Sequence, residues 1–220
     1  MSFSAIIFDC DGVLVDSEKI YLEVEREHLA RVGLAYDDTE YRRRFMGLKS
    51  ADYIAELDRD HREMNGAGLP QDFAENLKAS SIARLKVELC AVDGAEALVK
   101  GYGGAKAIAT SSAPDMLSLK MEITGLGRHF EPHIYWGDLV ERGKPAPDLF
   151  LLAASKLGVE PSDCLVVEDS ENGVRGGIAA GMTVWGFTGG SHADDGLEKR
   201  LSAAGAHAVM ASYDQMQSHL

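Results

Sequence analysis

The chain is poor in cysteine, proline and positive charge, and it has no long apolar run. Three of its 220 residues are cysteine, Cys10, Cys90 and Cys164, an odd number without metal-ligand spacing. That excludes a disulfide framework and a cysteine-built zinc site, and leaves thiols of the reduced, cytoplasmic kind. Lysine and arginine total 22 against 35 aspartates and glutamates, a formal net charge of −13. Nucleic acid and anionic membrane surfaces are therefore poor partners, and any anionic ligand must be met by local positive charge. No apolar stretch approaches the roughly 18 residues of a spanning helix. A basic segment and cleavage site of the secretory kind are also lacking at the N-terminus, which again points to the cytoplasm.

The residues that are present organise around one stretch. Phe3 to Phe8 is nearly continuously apolar and runs into Asp9-Cys10-Asp11-Gly12. A short apolar run bounded by a turn is the pattern of a strand buried on both faces, as in parallel sheets. Residues two apart on an extended segment point the same way, so Asp9 and Asp11 are expected to face one spot at the strand's carboxyl end. A turn alone accounts for Asp11-Gly12 but not for a carboxylate at Asp9. Two close carboxylates repel unless a cation or a shared proton intervenes. Cys10, between them, is expected to be a small buried hydrophobe.

From Ser17 to about Lys86 the pattern is helical. Helices are predicted over Glu18–Arg31, Asp38–Phe45, Ser50–Met64 and Asp72–Lys86, with Ser17 as an N-cap and a Gly- and Pro-containing loop at residues 65–70. His28 is expected on a helix face rather than at a metal. From Val92 strands and helices alternate. Strands are predicted over Ala105–Thr110, His133–Gly137, Cys164–Glu168, Thr183–Phe187 and Ala206–Met210, with helices from Gly94 to Gly101 and over Asp115–Glu122, Asp148–Leu157, Asn172–Ala180 and Leu197–Ala204. This alternation implies an α/β fold, a doubly wound, Rossmann-like parallel sheet with an inserted α-helical domain. The boundaries expected are 1–16 and 88–220 for the core and 17–87 for the insertion.

Three further strand ends carry polar groups. Thr110-Ser111-Ser112 can offer hydroxyls and backbone N–H groups to a phosphate. In Gly143-Lys144-Pro145-Ala146-Pro147 the prolines restrain the backbone around Lys144, although lysines are most often solvated. Leu165-Val166-Val167 ends in Glu168-Asp169-Ser170. Asp9 and Asp169 can together supply carboxylates to Mg²⁺, which takes oxygen ligands.

Asp9-Cys10-Asp11-Gly12-Val13-Leu14-Val15-Asp16-Ser17-Glu18, Thr110, the Lys144-Pro145-Ala146-Pro147 segment and Glu168-Asp169-Ser170 with Asn172-Gly173 resemble, in order, the four motifs of haloacid dehalogenase-type phosphohydrolases. The Asp16-Ser17-Glu18 continuation resembles the subgroup of β-phosphoglucomutase and sugar-phosphate phosphatases. The resemblance covers essentially the whole chain. It implies a helical cap at the insertion, Asp9 as nucleophile and Asp11 as general acid and base, with Asp9 helping to keep Asp11 protonated. It also implies phosphate binding by Thr110, Ser111 and Lys144, and Mg²⁺ held by Asp9, Asp169 and the Asp11 main-chain carbonyl, with Glu168 orienting a metal-bound water. Ser17, Tyr21, Lys49 and Lys78 become candidate substrate contacts.

The mutase of that subgroup has His where this chain has Tyr21, and Arg near Lys49-Ser50. The expected activity is therefore hydrolysis of a small phosphate ester, a sugar or sugar-acid phosphate such as 6-phosphogluconate, with a phosphohexomutase as the alternative. A haloacid dehalogenase fits less well, because Asp11 suits phosphoryl transfer. A non-enzymatic phosphoacceptor of the response-regulator type carries its aspartate later in the chain and has no helical insertion.

Overall fold

The computed structural model describes residues 3–45, 48 and 50–220. The chain opens with strand β1 (Ala5–Phe8) and then passes through four helices, α1 (Glu18–Arg31), α2 (Asp38–Phe45), α3 (Ser50–Asn65) and α4 (Phe73–Glu88). Helix α5 (Ala95–Gly101) leads into an alternating series: β2 (Ala105–Thr110), α6 (Pro114–Thr124), β3 (Ile134–Trp136), α7 (Asp148–Leu157) and β4 (Cys164–Glu168). The series ends with α8 (Glu171–Ala179), β5 (Thr183–Phe187), α9 (Leu197–Ala203), β6 (Ala208–Met210) and α10 (Tyr213–Gln217). Residues up to Glu18 and Leu89–Leu220 form one compact unit, and Lys19–Glu88 form another. No described helix is long and apolar enough to cross a membrane.

The six strands make one parallel sheet in the order β3-β2-β1-β4-β5-β6. β1 is the first strand laid down and sits inside the sheet, so successive strands grow outward from it on both sides. The order reverses at β1, and in such sheets the crevice outside the strand ends at that point is where ligands bind. Every residue of β1 and of β4 is buried. Ile7, Val166 and Val184 from the sheet pack with Phe150 of α7, Val174 of α8 and Leu201 of α9 in one apolar cluster. Each such side chain contributes about 1.5–3 kcal/mol relative to exposure.

Two predicted strand boundaries shift inward, to Ile134–Trp136 and Ala208–Met210. Helix α10 was not predicted. It has five residues, too few for a helical period to show, and buries only Tyr213 and Met216. Its Tyr213 hydroxyl donates to the Val13 carbonyl at 2.8 Å, tying the chain's end to the turn after β1.

The helical unit has its own core of Leu29, Leu34, Tyr41, Phe45, Tyr53, Leu57 and Phe73. His28 is buried on α1 with Nε2 2.9 Å from the Ser80 hydroxyl, so it serves helix packing. Beside this core the Tyr41 hydroxyl donates to Glu25 and lies 3.1 Å from the Tyr53 hydroxyl. Burial pushes the Glu25 carboxyl up from 4.5 to about 7, against the Tyr41 hydrogen bond. The folded chain thus holds a proton that the unfolded chain releases earlier. Stability from this group is complete below the unfolded value and is lost as pH rises through the folded one. Glu25→Gln, uncharged and of the same shape, is expected to raise the melting temperature relative to wild type at pH 8 and to lose that advantage at pH 4.5. Scanning calorimetry at the two pH values checks this.

Candidate active site

The pairing of β1 with β4 sets Phe8 opposite Val167. One step further, Asp9 follows β1 while its N–H still donates to the Val167 carbonyl at 3.0 Å. Glu168 ends β4 and Asp169 follows it. Carboxylate oxygens of Asp9, Glu168 and Asp169 consequently lie within 4.8 Å of one another, all three side chains buried. Two glycines make the room. A Cβ at Gly12, whose φ is +68°, would lie 1.9 Å from Asp169 Oδ2, and one at Gly173 would lie 1.9 Å from the Glu168 carboxylate.

Lys144 enters from the loop ahead of α7. Its side chain is only 5% exposed, far from the solvated position usual for lysine. Nζ donates to Asp9 Oδ1 at 2.8 Å and to Glu168 Oε1, and stands 5.0 Å from the centre of the Phe150 ring. Ser170, the N-cap of α8, donates its hydroxyl to Glu168 Oε2 at 2.9 Å and accepts from the Gly173 N–H at 3.0 Å. Burial pushes the Asp9 carboxyl up to about 7; Lys144 opposes that shift, and the neighbouring Glu168 and Asp11 add to it. Burial raises Glu168 and Asp169 as well. Lys144 keeps its proton firmly despite burial, because Asp9 and Glu168 are beside it.

Asp11 is held apart from this cluster. Lys120 of α6, fully buried, donates to both of its carboxylate oxygens, at 2.6 Å for Oδ2. Ser112 Oγ donates to Oδ2 at 2.6 Å, and Ser17 Oγ donates to Oδ1. Burial alone would raise the Asp11 carboxyl, but Lys120 and the hydrogen bonds from Lys120, Ser112 and Ser17 outweigh it, and the net shift is downward. The expectation that Asp9 keeps Asp11 protonated is therefore corrected: the nearest charge is an ammonium. With its carboxylate turned to Lys120, Asp11 has only its backbone to offer a metal beside Asp9. Cys10 between them is fully buried, and burial pushes its thiol up, as a packed and unreactive thiol requires.

Thr110 ends β2, buried, and its hydroxyl accepts from the Ser112 N–H at 3.1 Å. Ser111 is exposed, and Ser112, not Ser111, reaches Asp11. Ser17 is fully buried in the sheet-containing unit and donates its hydroxyl to Asp11 Oδ1. Tyr21, half-buried on α1, and Lys78, exposed on α4, belong to the helical unit. Lys49 lies outside the described residues.

Two site residues escaped the sequence reading. Lys120 falls three residues after Leu117 and next to Met121, on the buried stripe of α6. Its spacing was the signal, and its charge argued the other way. His192 follows the Gly189-Gly190-Ser191 turn after β5, with Nε2 3.1 Å from Asp169 Oδ2. Burial works against its charge, but Asp169 holds the proton on and the net shift is upward. Its buried Nδ1 has no hydrogen-bond partner among the described residues.

Three buried carboxylates with one lysine between them leave negative charge to be offset, and hard oxygen donors at this spacing fit a divalent cation. A doubly wound sheet whose inner strand ends in two aspartates, with a buried lysine and further carboxylates around the first, is the arrangement the chain presents at its switch point. A profile of the haloacid dehalogenase-like hydrolases matches residues 3–181, and the chain belongs to that family. Within the family it is a phosphatase. It is 31% identical over 189 residues to the 6-phosphogluconate phosphatase of Escherichia coli K12, covering 86% of this chain and 84% of that protein. A haloacid dehalogenase-like protein of unknown function from Agrobacterium tumefaciens C58 superposes with TM-score 0.83 at 35% identity, covering 99% of this chain and 96% of the other. A family hydrolase from Deinococcus radiodurans R1, solved with bound phosphate and sodium, superposes with TM-score 0.79 at 35% identity over 99% and 94% of the two chains.

Mutual repulsion in the acidic cluster has a measurable consequence. A millimolar divalent cation is expected to raise the melting temperature at neutral pH, since it binds only the folded cluster. Asp169→Asn removes one of the three carboxylates and should abolish most of that rise. An equal rise in wild type and variant would place the cation elsewhere.

Proposed function

We propose that the protein is a cytoplasmic, Mg²⁺-dependent phosphomonoester hydrolase of small phosphorylated metabolites, acting through an aspartyl-phosphate. One observation carries the reading: two aspartates two residues apart are held by different lysines, Asp9 by Lys144 beside two carboxylates and Asp11 by Lys120. Asp9 is the nucleophile. Its oxygen bonds to phosphorus as the ester oxygen leaves; Asp11, which Lys120 favours in its ionised form and which must first take a proton from solvent, gives that proton to the leaving oxygen. Asp11, now ionised, takes a proton from water, which displaces Asp9 and releases inorganic phosphate. The ionised form described above is the one the second step uses.

Lys144 and the Thr110 hydroxyl, with Ser111 at the same strand end, are the proposed phosphate contacts, stabilising charge on the transferring oxygens. Asp9 and Asp169, with the Asp11 carbonyl, would hold Mg²⁺, and Glu168 would orient its water. Bound there, the cation supplies charge neutralisation to phosphate and carboxylates alike. His192 would orient Asp169. The helical insertion is proposed as the family's cap, with Tyr21, Lys49 and Lys78 as specificity residues.

The substrate class is a sugar or sugar-acid phosphate. It is supported by the 6-phosphogluconate phosphatase among the relatives and by the phosphate in the Deinococcus structure. Tyr21, where the mutase pattern has His, favours hydrolysis over phosphoryl return to the sugar. With 6-phosphogluconate and related esters, wild type should release inorganic phosphate in phosphorus NMR, with no activity after EDTA and recovery on adding Mg²⁺. Asp9→Asn should lower turnover by at least ~10³-fold and form no phosphoenzyme, because an amide is a poor nucleophile. Isomerisation of β-glucose 1-phosphate outpacing phosphate release would favour the mutase, and a phosphoenzyme in Asp9→Asn would refute the nucleophile.

A further inference from the structure

We propose that Lys120 is a positioning residue for Asp11, a role that rests on reading Asp11 as the acid and base. Its side chain is wholly buried on α6. Nζ donates to Asp11 Oδ1, to Oδ2 at 2.6 Å and to Ser112 Oγ at 2.7 Å. Ser112 passes its own hydrogen to Oδ2, and Ser17 donates to Oδ1. These donors bond both carboxylate oxygens of Asp11. They come from three places: the segment ahead of α1, the loop after β2 and the middle of α6. Rotation of the Asp11 side chain is arrested from three directions.

Packing does not require a lysine there. The stripe of α6 holding Leu117 and Met121 would accept an apolar side chain, and burying an ammonium carries a heavy desolvation penalty. The ammonium is set against Asp11, donating to both of its oxygens. Lys144 cannot substitute, because its ammonium is committed to Asp9 and Glu168. The two aspartates thus have separate cations. Lys120 keeps Asp11 from swinging between the Asp9 cluster and the place where the ester oxygen and the attacking water must meet it.

The test compares Lys120→Met, Ser112→Ala and Asp11→Asn in Mg²⁺-loaded full-length protein by rapid quench. Substrates are an alkyl phosphate and an aryl phosphate with a good leaving group. Lys120→Met should slow phosphoenzyme formation from the alkyl ester on the order of 10²-fold and leave the aryl ester nearly unaffected, since a good leaving group needs no proton. Hydrolysis of the phosphoenzyme should slow by a similar factor, with KM moving less than about threefold. Ser112→Ala should repeat the pattern more mildly, and it carries the test if Lys120→Met does not fold. In the Asp11→Asn background, Lys120→Met should add nothing to phosphoenzyme formation. Equal losses on both esters, or a full additional loss in that background, would overturn the proposal. If Asp11→Asn itself shows no dependence on the leaving group, the acid–base reading fails and the proposal falls with it.

Discussion

The structure depends on a buried lysine placed among buried carboxylates. Lys144 bonds Asp9 and Glu168, and Asp169 stands within the same cluster. Without the ammonium, three acidic groups brought together by the β1–β4 pairing would have to take up protons, since isolated buried charges are severely penalised. With it, Asp9 is still pushed up to about 7. Burial is the main cause of that rise, and the neighbouring carboxylates add to it. The three carboxylates are placed so that they could hold a divalent cation. The overall excess of acid, −13, makes local positive charge necessary for any anionic substrate.

Asp9 and Asp11 are the same residue type at one strand end, yet their environments drive them in opposite directions. Asp9 is raised, mainly by burial with neighbouring carboxylates adding to it; Asp11 is lowered, because Lys120 and the hydrogen bonds from Lys120, Ser112 and Ser17 outweigh burial. Gly12, with φ +68°, turns the chain between them and Val13, and lets Asp169 approach where any Cβ would collide. The same glycine thus shapes the turn and admits the third carboxylate.

The sheet-containing unit and the helical unit each have their own apolar cluster. In the helical one the hydroxyls of Tyr41 and Tyr53 and the half-buried Glu25 carboxyl are paired to satisfy one another. Its aromatic residues pack edge to face, as between Phe45 and Tyr53 with centroids 5.6 Å apart.

The sequence by itself determined the strands and what stands at their ends. β1 is apolar throughout and β4 apolar up to Glu168, because both faces are covered, so their ends, and hence Asp9, Glu168 and Asp169, could be located from the order of apolar and polar residues. Thr110 followed from the same alternation, and Lys144 from its Lys-Pro-Ala-Pro context and the family resemblance. What only the tertiary structure decided was which charge meets which. Lys120 lies 109 residues from Asp11, and nothing local distinguishes it from a solvated helix lysine except its place on a buried stripe. The choice of Ser112 over Ser111, the capture of Ser17 by Asp11 and the approach of His192 to Asp169 have the same origin. Side-chain periodicity is set by the chain's own geometry, whereas electrostatic partners are set by elements that the sheet order folds together from distant parts of the chain.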